Sequence, residues 1–244
     1  MQSKHTQDDS DLERWGQPEP RGLVISLFDL TGVMVRPWAE AGYLCYCVDR
    51  QHPPGESRPP GGFPNLIRVG ADVREWLPPY GPVTILFAFP PCTHVAVSGA
   101  RWFRDKGLGH LIESLACFDA AVRLAEWTRA PYLIENPVST VSTYWRPPDH
   151  TFDPCDYGGY LDPPGDAYTK QTCLWTGNGF RMPIPNRVEP EPGSRTLRFS
   201  PGPDRANLRS VTPAGFAQAV FVANHPLPHR RQHRRGRAWP ASSA

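Results

Sequence analysis

The chain has 244 residues, of which 39% are hydrophobic and 20% are charged, and its net charge is only +2. This length allows one well-buried α/β domain and leaves little room for a second domain of full size. A net charge so close to zero does not by itself indicate a polyanionic partner. Because no apolar run is long enough to cross a membrane and the N-terminus does not resemble a signal peptide, we expect a soluble, cytoplasmic protein.

The 30 prolines and 21 glycines exceed what the interiors of helices and strands tolerate, so ordered loops must connect short elements. We expect a flexible leader over residues 1–21 and one catalytic domain over residues 22–228, with a loop-rich aromatic region at 146–210. The arginine-rich residues 229–244 are expected to form a disordered tail. The six cysteines include no Cys-x-x-Cys pair, which predicts neither a zinc site nor a disulfide framework.

Short apolar runs that stop at turn residues predict five strands, in chain order 23–28, 43–48, 66–69, 84–89 and 132–134. A short helix is expected at 34–41, and a long one at 108–125, where apolar residues recur every three or four positions. A last helix is expected after Thr212 as N-cap, with Pro213 as its first residue. Alternating strands and helices predict a mostly parallel sheet covered on both faces, which binds ligands at the carboxyl ends of its strands.

Every predicted strand ends in polar or reactive residues. These groups are Asp29 to Gly32, Asp49, Asp72, Pro90-Pro91-Cys92 and Glu135-Asn136-Pro137. Since parallel strands end at one edge of a sheet, the sequence predicts that these groups share a single site.

Cys92 is the first candidate catalytic residue, because two prolines present its thiol at a strand end. A thiolate that adds to carbon 6 of a cytosine turns the unreactive carbon 5 into a nucleophile that can accept a methyl group. Methyltransferases that act on amino groups commonly place an aromatic residue after a similar Pro-Pro to hold the base. A cysteine at this position therefore favours a ring carbon over a nitrogen as the target. The alternative is a structural cysteine in a proline turn.

Glu135 is the second candidate, since a carboxyl group near ring nitrogen 3 can protonate it and make carbon 6 more electrophilic. Alone, Glu-Asn-Pro is also an ordinary turn. The turn after the first strand would let a cofactor approach the backbone, and Asp49 and Asp72 could accept hydrogen bonds from ribose and adenine. Each of these aspartates could equally be a turn or cap residue.

Together these segments resemble the cytosine-5 DNA methyltransferases over about residues 22–140. The run Leu27 to Gly32 looks like the cofactor-binding opening of that family. Phe89 to Thr93, followed by Ser98-Gly99, looks like its Pro-Cys nucleophile segment. Ile134 to Pro137 looks like its Glu-Asn-Val segment.

The resemblance implies a Rossmann-like class I S-adenosylmethionine-dependent methyltransferase fold, and methyl transfer from S-adenosylmethionine to carbon 5 of cytosine in DNA through a covalent Cys92 adduct. It implies Cys92 and Glu135 as catalytic residues. The implied cofactor contacts are Phe28, Asp29, Thr31, Gly32, Asp49, Asp72, Pro90 and Asn224. The implied substrate contacts are Pro91, Ser98, Asn136, Lys170 and Arg209.

Beyond residue 140 the resemblance weakens, because no Gln-x-Arg-x-Arg segment is evident. Lys170 is a substitute for the arginine that the family places near the base, and Arg209 to Pro213 resembles its Arg-x-Leu-Thr segment. Little chain remains for a separate recognition domain. We expect a compact, divergent and monomeric member, encoded by a bacterium or a phage, that serves in restriction-modification or phage DNA modification and binds double- or single-stranded DNA.

Three alternatives stay open at this point. The protein could modify a free cytidine nucleotide, it could be a catalytically silent nucleic-acid-binding protein, or, more weakly, Cys92 and His94 could form a hydrolase pair. The aromatic segment from Tyr157 to Trp175 could stack on a base or could pack the proline-rich loops.

Overall fold

The computed structural model describes residues 20–192 and 210–226. Within these ranges the chain forms eight strands, β1 Leu23–Leu27, β2 Leu44–Val48, β3 Gly55–Ser57, β4 Leu66–Gly70, β5 Val83–Ala88, β6 Tyr132–Pro137, β7 His150–Phe152 and β8 Thr172–Gly177. The α-helices are α1 Arg36–Glu40, α2 Phe103–Lys106, α3 Leu108–Thr128, α4 Val141–Tyr144 and α5 Ala214–Asn224. Short 3-10 turns lie at Val97–Trp102, Pro154–Asp156 and Gly158–Tyr160. No helix within the described ranges has the length and apolar character needed to cross a membrane.

All eight strands belong to one sheet, in the order β3-β4-β2-β1-β5-β6-β8-β7. The five strands β4, β2, β1, β5 and β6 run parallel. β8 runs antiparallel to both β6 and β7, and the short β3 pairs antiparallel with β4 at the opposite edge. Five parallel strands with the first strand near the centre, followed by one reversed strand inside the far edge, define the Rossmann-like class I methyltransferase fold. The predicted fold class is therefore confirmed.

The two faces of the sheet are covered by different helices, as a parallel sheet requires. On one face α3 packs Phe118 and Ala121 against the sheet, and Trp175 of β8 joins the same apolar cluster. On the other face α1 and α5 pack through Trp38 and Phe216. The Phe216 ring stacks on that of Phe152, with the ring centroids 4.1 Å apart. Both layers are dry cores, so polar chemistry must take place at the edges of the sheet.

The five predicted strands and the long helix are present, with bounds that move by a few residues. The segment after residue 137, expected to be irregular, contains β7 and β8, and β8 is fully buried over most of its length between β6 and β7. The predicted cap of the last helix is also wrong. Pro213, not Thr212, occupies the N-cap, no side chain caps the helix, and Thr212 is buried.

Candidate active site

The carboxyl ends of the parallel strands meet at one edge of the sheet, which we call the carboxyl edge. It carries the turn after β1, Asp49 after β2, Asp72 after β4, the Cys92 loop after β5 and Glu135 at the end of β6. The opposite, amino edge carries the starts of the same strands. The expectation that the polar groups share one edge is therefore met.

Asp29 shapes the turn after β1. Its Oδ1 accepts hydrogen bonds from the backbone N–H groups of Gly32 and Thr31, at 2.7 and 3.1 Å, and its Oδ2 accepts one from the Ser26 hydroxyl at 2.7 Å. The turn holds Phe28 at φ 55 and Gly32 at φ 70, left-handed conformations that cost Phe28 energy and Gly32 little. Because these protein donors already occupy its oxygens, Asp29 would act on a ligand through the turn it forms.

His52 supports the same turn, and sequence reasoning missed it. Its side chain is buried, and its Nε2 donates to the Asp29 carbonyl oxygen at 3.1 Å. His52 lies in a loop rich in proline and glycine, so no local pattern distinguished it from an exposed residue.

Asp49 and Asp72 were both predicted to contact the cofactor, and their hydrogen-bond partners in the structure differ. Asp49 is buried, and its Oδ1 accepts the Gln51 backbone N–H at 2.8 Å, while its Oδ2 makes no hydrogen bond within the described residues. Asp72 instead forms an ion pair with Arg74, whose Nε lies 2.9 and 3.0 Å from the two carboxylate oxygens. This hydrogen-bonded pair lowers the pKa of Asp72. Asp49 thus keeps an acceptor for a ligand, and Asp72 does not.

The carboxyl edge therefore fits S-adenosylmethionine in part. Gly32 offers a turn without a side chain, and the second Asp49 oxygen can accept from ribose hydroxyls. Phe28 is half-buried beside the turn. An adenine contact by Asp72 would require Arg74 to move.

Asn136 joins the ends of β5 and β6. The two strands pair up to Ala88 and Ile134, and beyond that point the Asn136 side-chain Nδ2 donates to the Pro90 carbonyl oxygen at 2.9 Å. Asn136 is only 1% exposed, so this bond is dry. It fixes the start of the Cys92 loop beside the β6 segment that carries Glu135.

Cys92 lies in a tight turn and is the one partly exposed cysteine of the six, since the other five are buried. Its carbonyl oxygen accepts the N–H groups of Val95 and Ala96 at 3.1 and 2.9 Å. The turn is tied to the loop after β6 by a bond from Val97 N–H to the Val138 carbonyl, at 3.0 Å. These backbone hydrogen bonds thus fix the position of the loop that carries the thiol.

The remaining predicted contacts near this loop differ in exposure. Pro90 is buried, whereas Pro91, Ser98 and Thr31 are exposed. Pro91 and Ser98 are therefore accessible to a substrate, and Pro90 acts through its backbone bond with Asn136.

Glu135 and Lys170 form an ion pair at the same edge. The Lys170 Nζ lies 3.8 Å from Glu135 Oε1, and the two side chains are 21% and 17% exposed. Burial raises the pKa of Glu135, and the Lys170 charge opposes that rise. Asp153 fixes the lysine backbone by accepting its N–H at 2.6 Å. Lys170, the expected substitute for an arginine near the base, thus lies beside Glu135, and the roles of both residues stay predictions.

Four buried polar atoms at this edge have no hydrogen-bond partner within the described residues: His94 Nδ1, Asn136 Oδ1, Ser139 Oγ and Thr140 Oγ1. The segments that carry them are bonded to each other, for example from Thr140 N–H to the Val95 carbonyl at 2.9 Å. Burying a polar group without a partner costs about 1–3 kcal/mol, so a cluster of such atoms marks a place built for a polar ligand or for water.

Two predicted site residues are not brought to the carboxyl edge. Asn224 exchanges two hydrogen bonds with the Arg181 backbone, at 2.8 and 2.9 Å. Arg181 follows the end of β8, where Gly177 pairs with Tyr132 at the start of β6, so Asn224 lies at the amino edge. A cofactor contact by Asn224 does not fit this position. Arg209 lies outside the described residues.

The aromatic segment after residue 157 packs the protein. Tyr157 and Trp175 are 2% and 0% exposed. The Trp175 indole N–H donates to the Arg146 carbonyl at 2.8 Å, and the Tyr157 hydroxyl donates to the Pro183 carbonyl at 3.3 Å. Their polar groups are satisfied internally, so for these two residues the packing alternative is correct.

No family model and no curated protein matches the chain. Solved structures do match. The 16S rRNA methyltransferase KamB shares 17% identity over 69% of this chain and 93% of its own, with a TM-score of 0.35. The 16S rRNA (adenine(1408)-N(1))-methyltransferase from Catenulisporales acidiphilia shares 18% identity over 77% and 97%, with a TM-score of 0.35. The antibiotic-resistance methyltransferase Kmr shares 20% identity over 54% and 67%, with a TM-score of 0.28.

These three neighbours are named as methyltransferases, the class of protein that the sequence predicts. The predicted transfer to carbon 5 of cytosine in DNA is contradicted, because two of the neighbours are named for 16S rRNA and one of those two for an adenine nitrogen. The resemblance to the cytosine-5 family stays a prediction from the sequence.

Proposed function

We propose that the protein is an S-adenosylmethionine-dependent methyltransferase that modifies an unpaired pyrimidine base in RNA. One observation carries the proposal. The buried bond from Asn136 to the Pro90 carbonyl holds the Cys92 loop against the strand end that carries Glu135, at the sheet edge where Asp49 keeps a free carboxylate oxygen. A methyl donor and a reactive thiol would therefore meet at one place.

The Glu135–Lys170 pair supports base binding. A pyrimidine presents a ring nitrogen beside an exocyclic oxygen, and a carboxyl group next to an ammonium group offers hydrogen-bond partners for both. Because burial raises the pKa of Glu135, its protonated form persists closer to neutral pH and can donate to the ring nitrogen.

The Cys92 thiol supplies the nucleophile for the reaction. A Cys92 thiolate that adds to carbon 6 of the ring makes the neighbouring ring carbon nucleophilic. S-adenosylmethionine, when bound, supplies an electrophilic methyl group. Methylation of that carbon releases S-adenosylhomocysteine. The methylated carbon then gives its proton to water, the electron pair left behind restores the ring double bond and expels the Cys92 thiolate, and the ring nitrogen returns its proton to Glu135.

An unpaired base is favoured by the architecture of the described residues. The described residues form one sheet with its covering helices and loops, and none of them forms a second sheet or bundle that could read a duplex. Extrusion of a paired base costs a few kcal/mol, whereas single-stranded loops in RNA present their bases directly.

The test is transfer of label from methyl-tritiated S-adenosylmethionine. Because two of the neighbours are named for 16S rRNA, ribosomal RNA is the first substrate to test. Heat-denatured RNA, double- and single-stranded DNA, and free pyrimidine nucleotides are tested beside it. We expect label in RNA, increased by denaturation, and mass spectrometry of nucleosides should find a ring-methylated pyrimidine. Label only in DNA or only in free nucleotides, a methylated purine, or RNA binding without any transfer would contradict the proposal.

A further inference from the structure

A cavity of about 350 Å³ lies next to the Cys92 loop, outside the residues assigned so far. Its walls come from the loop after Cys92, from α2, from the start of α3 and from α4. The lining residues are His94, Phe103, Arg104, Lys106, Gly107, Leu108, His110, Leu111, Thr140 and Tyr144. This volume lies within the range of about 300–1,000 Å³ for sites that bind small molecules.

The described lining of the cavity is positively charged. Arg104 and Lys106 contribute two positive charges, and the part of the lining that the structure describes includes no carboxylate. Lys106 is held in place because its Nζ donates to the Thr93 carbonyl at 2.7 Å, which leaves its other N–H groups for a ligand. Thr93 directly follows Cys92, so the ammonium group is anchored to the thiol loop itself.

The N-terminus of α3 adds to the positive potential of the cavity. The helix has 21 residues, its N-cap is Gly107, and no side chain caps it. Gly107 and Leu108 both line the cavity. Uncapped N–H groups at the start of a helix, together with the helix dipole, favour a negative group.

Two of the unpartnered buried polar atoms belong to the lining, namely His94 Nδ1 and Thr140 Oγ1. The His94 ring stacks on that of His110, with centroids 4.4 Å apart. Phe103 and Tyr144 add aromatic surface, and Tyr144 is 61% exposed. A ligand that combines a negative group with a flat ring would match the charged and aromatic walls, and a nucleotide is such a ligand.

We propose that this cavity is a subsite for one nucleotide that flanks the modified base in a single strand, with its phosphate on Arg104 and Lys106 and its base against Tyr144. This inference rests on the proposed function and extends it, because it states how the described residues would hold a single strand beside the modified base. Charge on the phosphate gives affinity without sequence preference, and the aromatic surface accepts any base.

The test compares two arginines of equal charge. Arg104→Glu places a negative charge in the cavity, while Arg123→Glu makes the same change on the solvent face of α3, where Arg123 pairs with Asp119. Binding of a short fluorescein-labelled RNA is measured by fluorescence anisotropy over a range of salt concentrations, without a methyl donor. We expect Arg104→Glu to raise Kd at least about fivefold and to reduce the salt slope by about 0.7, and Arg123→Glu to change neither.

Tyr144→Ala provides a second variant, because this exposed side chain can be removed without opening the core. It should weaken binding and leave the salt slope unchanged, as loss of stacking does. In the transfer assay both cavity variants should raise KM and leave kcat unchanged. A labelled DNA of the same sequence shows whether the subsite also accepts deoxyribose.

Failure of the subsite and failure of the proposed function are separable. Wild-type protein that binds no RNA, cavity variants that bind as wild type does, or an Arg123→Glu variant that weakens binding as much as Arg104→Glu would each overturn the subsite. Binding that depends on Arg104 and Tyr144 without any methyl transfer would support the subsite and contradict only the enzymatic proposal.

Discussion

The two edges of the sheet satisfy their polar groups differently. At the amino edge, Asn65 donates to the Ala39 and Tyr43 carbonyls at 2.8 and 2.7 Å, and Asn224 uses both ends of its amide on the Arg181 backbone. At the carboxyl edge, Asn136 makes one bond and leaves its buried oxygen without a partner. Asparagine side chains at the amino edge are thus hydrogen-bonded to the backbone, whereas Asn136 at the carboxyl edge has an oxygen without a partner among the described residues.

This contrast shows where the protein tolerates a cost in stability. An unpaired buried polar group destabilises a fold by about 1–3 kcal/mol, and proteins keep such groups where a ligand pairs with them. Trp38 Nε1 is the one unpartnered buried side-chain atom of the described residues away from the carboxyl edge, so we propose the carboxyl edge as the binding end of the molecule. Substitutions matched across the two edges should separate loss of activity from loss of stability.

The largest difference should appear between two cysteines. Cys92→Ala at the carboxyl edge removes the proposed nucleophile and should lower methyl transfer by on the order of 10³-fold or more without a matching loss of stability. Cys45→Ala removes a buried thiol that contacts backbone carbonyls near the start of β2. It should cost about 1–2 kcal/mol of folding free energy and leave the activity of the folded protein unchanged. Equal activities in the two variants would remove the thiol from the mechanism.

The two asparagines should divide in the same way, with loss of activity at the carboxyl edge and loss of stability at the amino edge. Asn136→Leu breaks the bond to Pro90 but also removes an unpaired oxygen, so the unfolding free energy should change by less than about 1 kcal/mol. Methyl transfer should nevertheless fall by about 10²-fold, because the Cys92 loop loses its alignment. Asn224→Ala should lose about 1–3 kcal/mol and keep its activity. Urea unfolding and the transfer assay together check both, and an inactive but folded Asn224→Ala would return this residue to the site.

Two aspartates sharpen the comparison within the carboxyl edge. Asp49→Asn should weaken binding of S-adenosylhomocysteine by about 10- to 100-fold. A loss of this size corresponds to one or two charge-assisted hydrogen bonds to ribose. Asp72→Asn should weaken it by less than about threefold, because Arg74 already occupies that carboxylate. Isothermal titration calorimetry measures both affinities. A larger effect at Asp72 would mean that Arg74 swings away when the cofactor binds.

The sequence predicted the parts of the fold whose signals are local. β1, β5 and α3 are continuous apolar runs or repeats at helical spacing, and their strand-end residues place the carboxyl edge without a structure. β8 could not be found in this way, because its short apolar run lies among aromatic loops and its partner β6 is far away in the chain. β3 is a strand only because Gly55 to Ser57 pairs with β4.

The same limit applies to the site. The identities of Cys92 and Glu135 follow from chemistry at strand ends, but the competition of Arg74 for Asp72 depends on side-chain geometry. The cavity around His94 and the unpartnered hydroxyl of Thr140 depend on how two distant loops pack. Asn224 was misplaced because the helix that carries it reaches the amino edge, which only the three-dimensional path of the chain reveals.

The smallest expected effect is a difference in pH dependence between two carboxyl groups. Burial raises the pKa of Glu135, so the folded protein takes up this proton at a higher pH than the unfolded chain does. The stability it contributes is present below the ordinary pKa of 4.5 and is lost as pH rises through the folded value. Asp149 has the opposite sign. Burial opposes its ionisation, but hydrogen bonds from Arg146 and the Thr176 backbone outweigh that effect and lower its pKa.

Glu135→Gln should therefore be more stable relative to wild type at pH 7 than at pH 4, because the substitution removes a carboxylate that burial disfavours. Asp149→Asn should lose stability at pH 7 and lose less as pH falls below the ordinary aspartate pKa of 3.8. Urea unfolding of both variants at several pH values gives the two slopes. If the two slopes of unfolding free energy against pH have the same sign, Glu135 is ionised as readily as a surface carboxyl group. Its proposed role as a proton donor to the base would then be wrong.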